Sequence, residues 1–321
     1  MSDILLQIKE LQVTFFSKLG PLRAVDGISY AIRQGKTLGL VGESGCGKSV
    51  TSYAIMGLLD HPGQVTHGSI RFDGQDLTLC TEQELQNIRG NRISMIFQEP
   101  MTALNPVFTI GFQLDEQILR HKKVSKTEAR NRSIEMLRVV GIPAPEKRYE
   151  SYPHQLSGGM RQRAMIAMAL SCDPEFLIAD EPTTAIDVTI QAQILDLMQS
   201  LQERFHMAIQ FITHDLGVVS EVSDDVVVMY AGKICEIADA DTIFNHPKHP
   251  YTYGLIESIP KRRQRVAKLY SIPGTVVSLI EIPEGCRFQN RCPNVLDQCR
   301  KISPELTSVG DGHSVACFNM M

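Results

Sequence analysis

The run Gly42-Glu43-Ser44-Gly45-Cys46-Gly47-Lys48-Ser49 fits the pattern GxxxxGK[ST]. That spacing suits a polyphosphate. Glycines let the backbone wrap close to phosphate oxygens, and amide N–H groups at a helix start point at the anion. Lys48 is spaced to bridge the β- and γ-phosphates, and the Ser49 hydroxyl to bind Mg²⁺. The context agrees. Thr37-Leu38-Gly39-Leu40-Val41 reads as a buried strand before the loop, and a helix is predicted from Lys48 to about Leu59.

Two carboxylates follow the apolar run Phe176-Leu177-Ile178-Ala179. Asp180 ends that strand, so its side chain emerges at the edge of the sheet where ligands collect. It is expected to hold Mg²⁺. Glu181 points elsewhere and can polarise an attacking water as a general base. Gln98 follows another buried strand, Arg92 to Phe97, and its neutral amide can ligate Mg²⁺ or orient water. His214 ends the strand at 208–213 and can reach a γ-phosphate as a donor.

About 110 residues beyond the first loop lies Leu156-Ser157-Gly158-Gly159-Met160-Arg161-Gln162-Arg163. A serine and two glycines at a helix start form a second anion site. This site has no role in a monomeric P-loop enzyme. It makes sense as a loop that closes over a nucleotide held by a second copy of the fold.

These groups need a scaffold. Residues 4–41 read as strands, with Leu11, Val13 and Phe15 alternating and Ile28 to Ile32 following. Ser69 to Phe72 is a further strand before the turn Asp73-Gly74. From about Thr109 to Cys172 the pattern is helical. Ile134, Leu137 and Arg138 mark one helix, Gly141 its end, and Ala164 to Leu170 another helix. Strand signals return at 176–180, 208–213 and 225–230. Strands alternating with helices imply an α/β fold with a mostly parallel sheet. The helical stretch, about residues 100–172, reads as an inserted subdomain. A boundary is expected near Ser258-Ile259-Pro260, before the basic run Lys261 to Arg265.

The 321 residues carry a net charge of −4, which disfavours a nucleic-acid partner. Hydrophobic and charged fractions of 43% and 21% are those of a soluble protein. No apolar run approaches the roughly 20 residues of a membrane span. The start, Met1-Ser2-Asp3-Ile4, lacks the features of a signal peptide. A cytosolic chain is expected, and Cys46, Cys80, Cys172 and Cys235 read as small buried residues in a reducing compartment.

Together these motifs resemble the ATP-binding-cassette (ABC) ATPases over residues 1–255. The resemblance implies an N-terminal antiparallel β-subdomain, the P-loop cassette and its helical insert. The ATP contacts it implies are Gly42, Ser44, Gly45, Cys46, Gly47, Lys48, Ser49 and Val50. Gln98 stands at the Q-loop, Leu156 to Met160 at the signature, Thr184-Ala185-Ile186-Asp187 at the D-loop and His214 at the switch histidine. In that family two cassettes meet head to tail, so Ser157, Gly158 and Gly159 would contact the partner's ATP. Asp187 would cross the interface. Phe15 stands where the family stacks an aromatic on adenine; Phe16 is a rival, and either could be core. Ile186 and Glu99 depart from the commoner leucine and aspartate.

The stretch Phe97-Gln98-Glu99-Pro100-Met101-Thr102-Ala103-Leu104-Asn105-Pro106 narrows the resemblance. So do Tyr152-Pro153-His154-Gln155-Leu156 and His249-Pro250-Tyr251-Thr252. They are similar to the ATP-binding subunit of dipeptide and oligopeptide permeases, a group that includes nickel and glutathione importers. That implies a peripheral subunit on the cytoplasmic face of the inner membrane. Its partners would be a second ABC ATPase subunit, identical or a paralogue, and two integral-membrane permease subunits, with an extracytoplasmic substrate-binding protein acting through them. A soluble ABC ATPase acting on nucleic acid or the ribosome shares the nucleotide motifs, but usually has coiled-coil insertions or fused cassettes that this chain lacks. A small-molecule kinase would leave Leu156 to Met160 unexplained.

Residues 256–321 form a C-terminal extension in the same resemblance. Cys286, Cys292, Cys299 and Cys317 follow C-x5-C-x6-C-x17-C. In a cytosolic protein such crowding favours a metal over disulfides. The spacing is wider than short zinc pairs. Four thiolates suit a [4Fe–4S] cluster or Zn²⁺, and the permease group can carry such a cluster here. Free or disulfide-bonded cysteines are the remaining alternative.

Overall fold

A computed structural model describes residues 3–18, 20–98, 103–182, 188–259 and 270–321, with the side chains of residues 188 and 189 excepted. The D-loop, Asp187, Glu99 and the basic run 261–265 lie outside the described residues. The chain divides into two units, one of residues 1–79 and 211–321, the other of residues 80–210.

The first unit begins with two long strands, β1 (Ile4–Ser17) and β2 (Gly20–Arg33). They join β4 (Gly63–Phe72) and β5 (Gln75–Asp76) in an antiparallel sheet of order β2-β1-β4-β5. Leu6, Ile8, Leu11, Val13 and Ile70 are fully or almost fully buried. β4 starts well before Ser69. Its first residues are largely polar and exposed, and β1 pairs them antiparallel.

A second sheet crosses this unit in the order β11-β12-β10-β9-β3-β8. β3 (Thr37–Val41) pairs parallel with β9 (Asp225–Tyr230), and β9 pairs antiparallel with β10 (Lys233–Asp239). β8 (Ala208–Thr213) begins in the other unit and ends in this one. All five residues of β3 are buried. A Cβ on Gly39 would lie 2.6 Å from a Val219 methyl, so α8 (Leu216–Val222) lies flat on this strand.

The C-terminal segment completes this unit. β12 (His313–Val315) pairs with β10 and with the short, exposed β11 (Thr307–Gly310). Phe288 enters the core between Tyr230 and Tyr251, each 5.3 Å away between ring centroids. Glu236, with no exposed surface, accepts from the Lys248 and His249 N–H groups at 2.7 and 3.0 Å. His313 Nε2 lies 2.7 Å from the same carboxylate. A buried carboxylate is tolerable when so fully partnered. The described residues of this unit also form the short helices α1 (Lys48–Met56), α8, α9 (Ala240–Asn245) and α10 (Pro250–Glu257). α1 is shorter than the predicted end at Leu59, because Gly57 takes a left-handed φ of 61° and closes the helix.

The second unit contains α2 (Glu82–Ile88), opened by a Thr81/Glu84 capping box, and a parallel pair, β6 (Ile93–Ile96) and β7 (Phe176–Asp180). Arg92 holds Glu175 in a bidentate pair at 2.5 and 2.9 Å beside them. Among the described residues between β6 and β7 are the helices α3 (Ile110–His121), α4 (Lys126–Val139), α5 (Pro145–Tyr149) and α6 (Gly158–Leu170). Asp115 on α3 accepts hydrogen bonds from Ser133 of α4 and Tyr149 of α5, which locks the three together. α7 (Val188–Phe205) buries Ile194, Met198 and Leu201. Cys46, Cys172 and Cys235 are buried as expected, whereas Cys80 is only half-buried, because it sits in a short polar turn before α2.

Candidate nucleotide site

The phosphate loop belongs wholly to the first unit. Gly42 has φ 150° and Gly47 has φ 106°. A Cβ on Gly42 would lie 2.1 Å from the Met229 carbonyl oxygen, and one on Gly47 would lie 2.6 Å from that of Ala24. Only glycine fits either place. Gly45 is in open space with φ 78°, while Ser44 is exposed. Lys48 is buried, and its ammonium donates to the Gly42 and Glu43 carbonyls at 2.7 and 3.1 Å. Ser49 and Val50 are half-buried in the first turn of α1. Burial raises the Cys46 thiol above its ordinary value, so it stays protonated and inert.

His214 follows β8 and is exposed, and Asp215 caps α8 by accepting from the Gly217 N–H at 2.9 Å. The cap fixes the turn that presents the imidazole. Phe15 is half-buried, with its ring edge 2.6 Å from where a Gly63 Cβ would stand, while Phe16 is 51% exposed. Both remain aromatics of the β1 end.

The second unit brings Gln98 and Glu181 together. The Gln98 amide donates to the Glu181 carboxylate at 3.0 Å. Asp180 is buried at the end of β7, and Glu181 turns away with φ +46°, a left-handed conformation that costs a non-glycine residue about 1 kcal/mol or more. Strain of this kind gathers at working positions. Ser157, exposed, caps α6 and accepts weakly from the Met160 N–H at 3.4 Å. Gly158 is exposed with open space where a side chain would be, and a Cβ on Gly159 would lie 3.3 Å from Ile190.

Sequence reasoning missed a set of contacts on the phosphate loop. Arg291 donates bidentately to the Glu43 carboxylate at 2.6 and 3.0 Å, and its Nε donates to the Pro273 carbonyl at 3.0 Å. The Glu43 hydrogen bonds hold this guanidinium charged, above its ordinary value. The Glu43 N–H donates to Tyr251 Oη at 2.9 Å. Arg287 donates to Asp26 and to the Ala231 carbonyl. The main chain then links Asp26 to Gly232, and Gly232 to the Cys46 carbonyl. The only sequence signal was two arginines inside Cys286-Arg287-Phe288-Gln289-Asn290-Arg291-Cys292.

Cys286, Cys292, Cys299 and Cys317 line one cavity with His249, Pro250 and Phe288. The Cys286 N–H donates to the Cys299 carbonyl at 2.7 Å. Burial pushes the Cys286 thiol up to about 11, and the neighbouring cysteines add to the shift. Among the described residues no group of three or more His, Cys, Asp or Glu is arranged to hold a metal ion. The expected metal set is therefore gathered around one cavity but not preassembled. None of the eight cysteines forms a disulfide.

The family profile described as "ABC transporter" matches residues 25–184, and that of "Oligopeptide/dipeptide transporter, C-terminal region" matches residues 235–299. The chain is 52% identical to the oligopeptide transport ATP-binding protein AppD of Bacillus subtilis, over 98% of this chain and 96% of that one. It is 50% identical to the dipeptide transport ATP-binding protein DppD of Escherichia coli, with the same coverage. Its fold matches the dimeric ATP-binding cassette MJ0796 bound to ADP and Pi with a TM-score of 0.66, at 26% identity over 74% of this chain and 99% of that one. An α/β P-loop fold with an antiparallel sheet and a helical insert therefore defines an ABC-type ATPase. The chain belongs to the ATP-binding proteins of oligopeptide and dipeptide ABC transporters. It is an ATPase of that family, and nothing supports a nucleic-acid or ribosomal role. No helix among the described residues is long and apolar enough to cross a membrane.

Proposed function

We propose that this chain drives uptake of di- or oligopeptides by ATP-dependent closure of two cassettes. The observation that carries the reading is Glu181, strained at the end of β7 and held by Gln98. Lys48 and the backbone of Gly42, Ser44, Gly45, Cys46, Gly47, Ser49 and Val50 bind the triphosphate, and Ser49, Gln98 and Asp180 would hold Mg²⁺. Mg²⁺ bound there would supply charge neutralisation on the β- and γ-phosphates. Glu181 accepts the proton of the attacking water, Gln98 orients it, and His214 donates to the γ-phosphate. Ser157, Gly158 and Gly159 are offered to ATP on the partner cassette, and the exposure of Ser157 and Gly158 supports that role. Asp187 and Phe15 are assigned to the dimer interface and the adenine.

Residues 1–255 act as the cassette and 256–321 as its extension. The cassette partners are a second ATPase subunit and two membrane permease subunits at the cytoplasmic face of the inner membrane, supplied by an extracytoplasmic binding protein. An exposed apolar surface supports permease docking. Phe108 and Phe112 stack at 4.6 Å, and Val107 is 69% exposed. Cells lacking this chain should lose uptake of a labelled dipeptide while free amino-acid uptake stays normal. Unchanged dipeptide uptake would remove the peptide cargo from the proposal.

The four cysteines that line one cavity match a [4Fe–4S] cluster in the number and kind of their donors, with Zn²⁺ as the alternative, although they are not already arranged around an ion. Cys286, Cys292, Cys299 and Cys317 would hold it. Its chemistry there would be structural, a covalent tie across a segment with little core of its own. Anaerobically purified protein should be brown, with iron and sulfide near about four each per chain. Colourless protein with stoichiometric zinc would establish the alternative, and metal-free protein with four alkylatable thiols would exclude both.

A further inference from the structure

Glu43 is an anion built into an anion-binding loop. It stands second in GxxxxGK[ST], between the glycine that turns the chain and the residues that wrap phosphate. Left unpaired, its charge would oppose the incoming triphosphate. The charge is met from the far end of the chain. Arg291, with 4% of its side chain exposed, forms a two-pronged pair with the carboxylate. The guanidinium is seated on three sides. The Pro273 carbonyl takes its Nε, Tyr230 lies 5.7 Å below it, and Phe288 lies 5.9 Å away. Such a planar fork, fixed by packing, is the geometry that matches a carboxylate best.

We infer that Arg291 is a positioning residue of the nucleotide site, supplied by the C-terminal extension, which cancels the Glu43 charge within the phosphate loop and so raises the affinity for a nucleoside triphosphate. Arg291 need not touch the nucleotide. Cys286 and Cys292 bracket Arg287 and Arg291 in sequence and line the cysteine cavity, so the segment that carries the arginine also carries those thiols. The inference rests on the reading of residues 42–49 as the triphosphate loop.

Equilibrium binding of ATP to the full-length protein tests it. Arg291→Met keeps the bulk and removes the charge. It should weaken ATP binding by roughly tenfold or more, the scale of a hydrogen bond to a charged group. Glu43→Gln alone should bind ATP at least as tightly as wild type, and Glu43→Gln in the Arg291→Met background should restore affinity to within about threefold. A purely structural pair would behave otherwise, with Glu43→Gln as harmful as Arg291→Met and no rescue in the double variant. That result would overturn the inference. Arg291→Lys keeps the charge and should fold if Arg291→Met does not. A tenfold loss in that variant would also overturn it. Lys48→Ala separates the two failures. If it retains ATP, the loop assignment is wrong; if it loses ATP while Arg291→Met keeps it, only the arginine's role falls.

Discussion

Two helices of this chain start at glycines, and their surroundings differ at every point. α1 is capped by Gly47, whose place leaves no room for a Cβ, and is entered from a loop held from Tyr251 and Arg291. α6 starts at Ser157-Gly158, exposed, with open space where a Gly158 side chain would stand. One helix start is shaped by its own chain, with its loop held in place before any ligand arrives. The other is open at Gly158, where none of the described residues would meet a side chain. The same division runs between the units. The first carries the loop that grips; the second carries Glu181, Gln98 and the loop offered outward.

That contrast can be broken at three places. The largest effect should come from the second unit's chemistry. Glu181→Gln is expected to cut ATP turnover by roughly 10²–10⁴-fold while equilibrium ATP binding survives. Turnover above about a tenth of wild type would remove Glu181 as the base. Next comes Ser157→Arg, a bulky charge on the outward loop. The monomer should bind ATP as wild type does, yet ATP-dependent dimerisation, followed by light scattering, should disappear. Weaker monomer binding with dimerisation intact would reverse the assignment. The smallest effect is the sharpest contrast. Gly47→Ala should destabilise the fold by about 1–3 kcal/mol through strain and collision with the Ala24 carbonyl. Gly158→Ala should shift stability by less than about 0.5 kcal/mol. Equal costs in urea melts would show that the two helix starts are built alike.

The phosphate loop, β3, β7, β8 and β9 were legible because strands buried on both faces are written as unbroken apolar runs. The Gln98–Glu181 pair was partly legible, since both residues follow such strands. What could not be read depends on distant partners. β10 carries Glu236 among apolar residues, which makes sense only once His313 and the residues before α10 reach it. The early part of β4 is polar and is a strand because β1 pairs it. Arg291 finds Glu43 across 248 residues, and such an ion pair leaves no local pattern.

β10 has one further bearing on how the molecule behaves in a crowded cell. It is a seven-residue strand, mostly buried, and β12 covers the side away from β9. Beyond β12 the sheet ends in β11, four residues long, mainly exposed and containing Gly310. A long apolar margin would invite strands from other chains, whereas a short polar one discourages them. Cutting the chain at residue 255 would reopen that margin and leave Glu236 without His313. Such a fragment is expected to self-associate more readily than the full chain, which light scattering of the two at equal concentration would check.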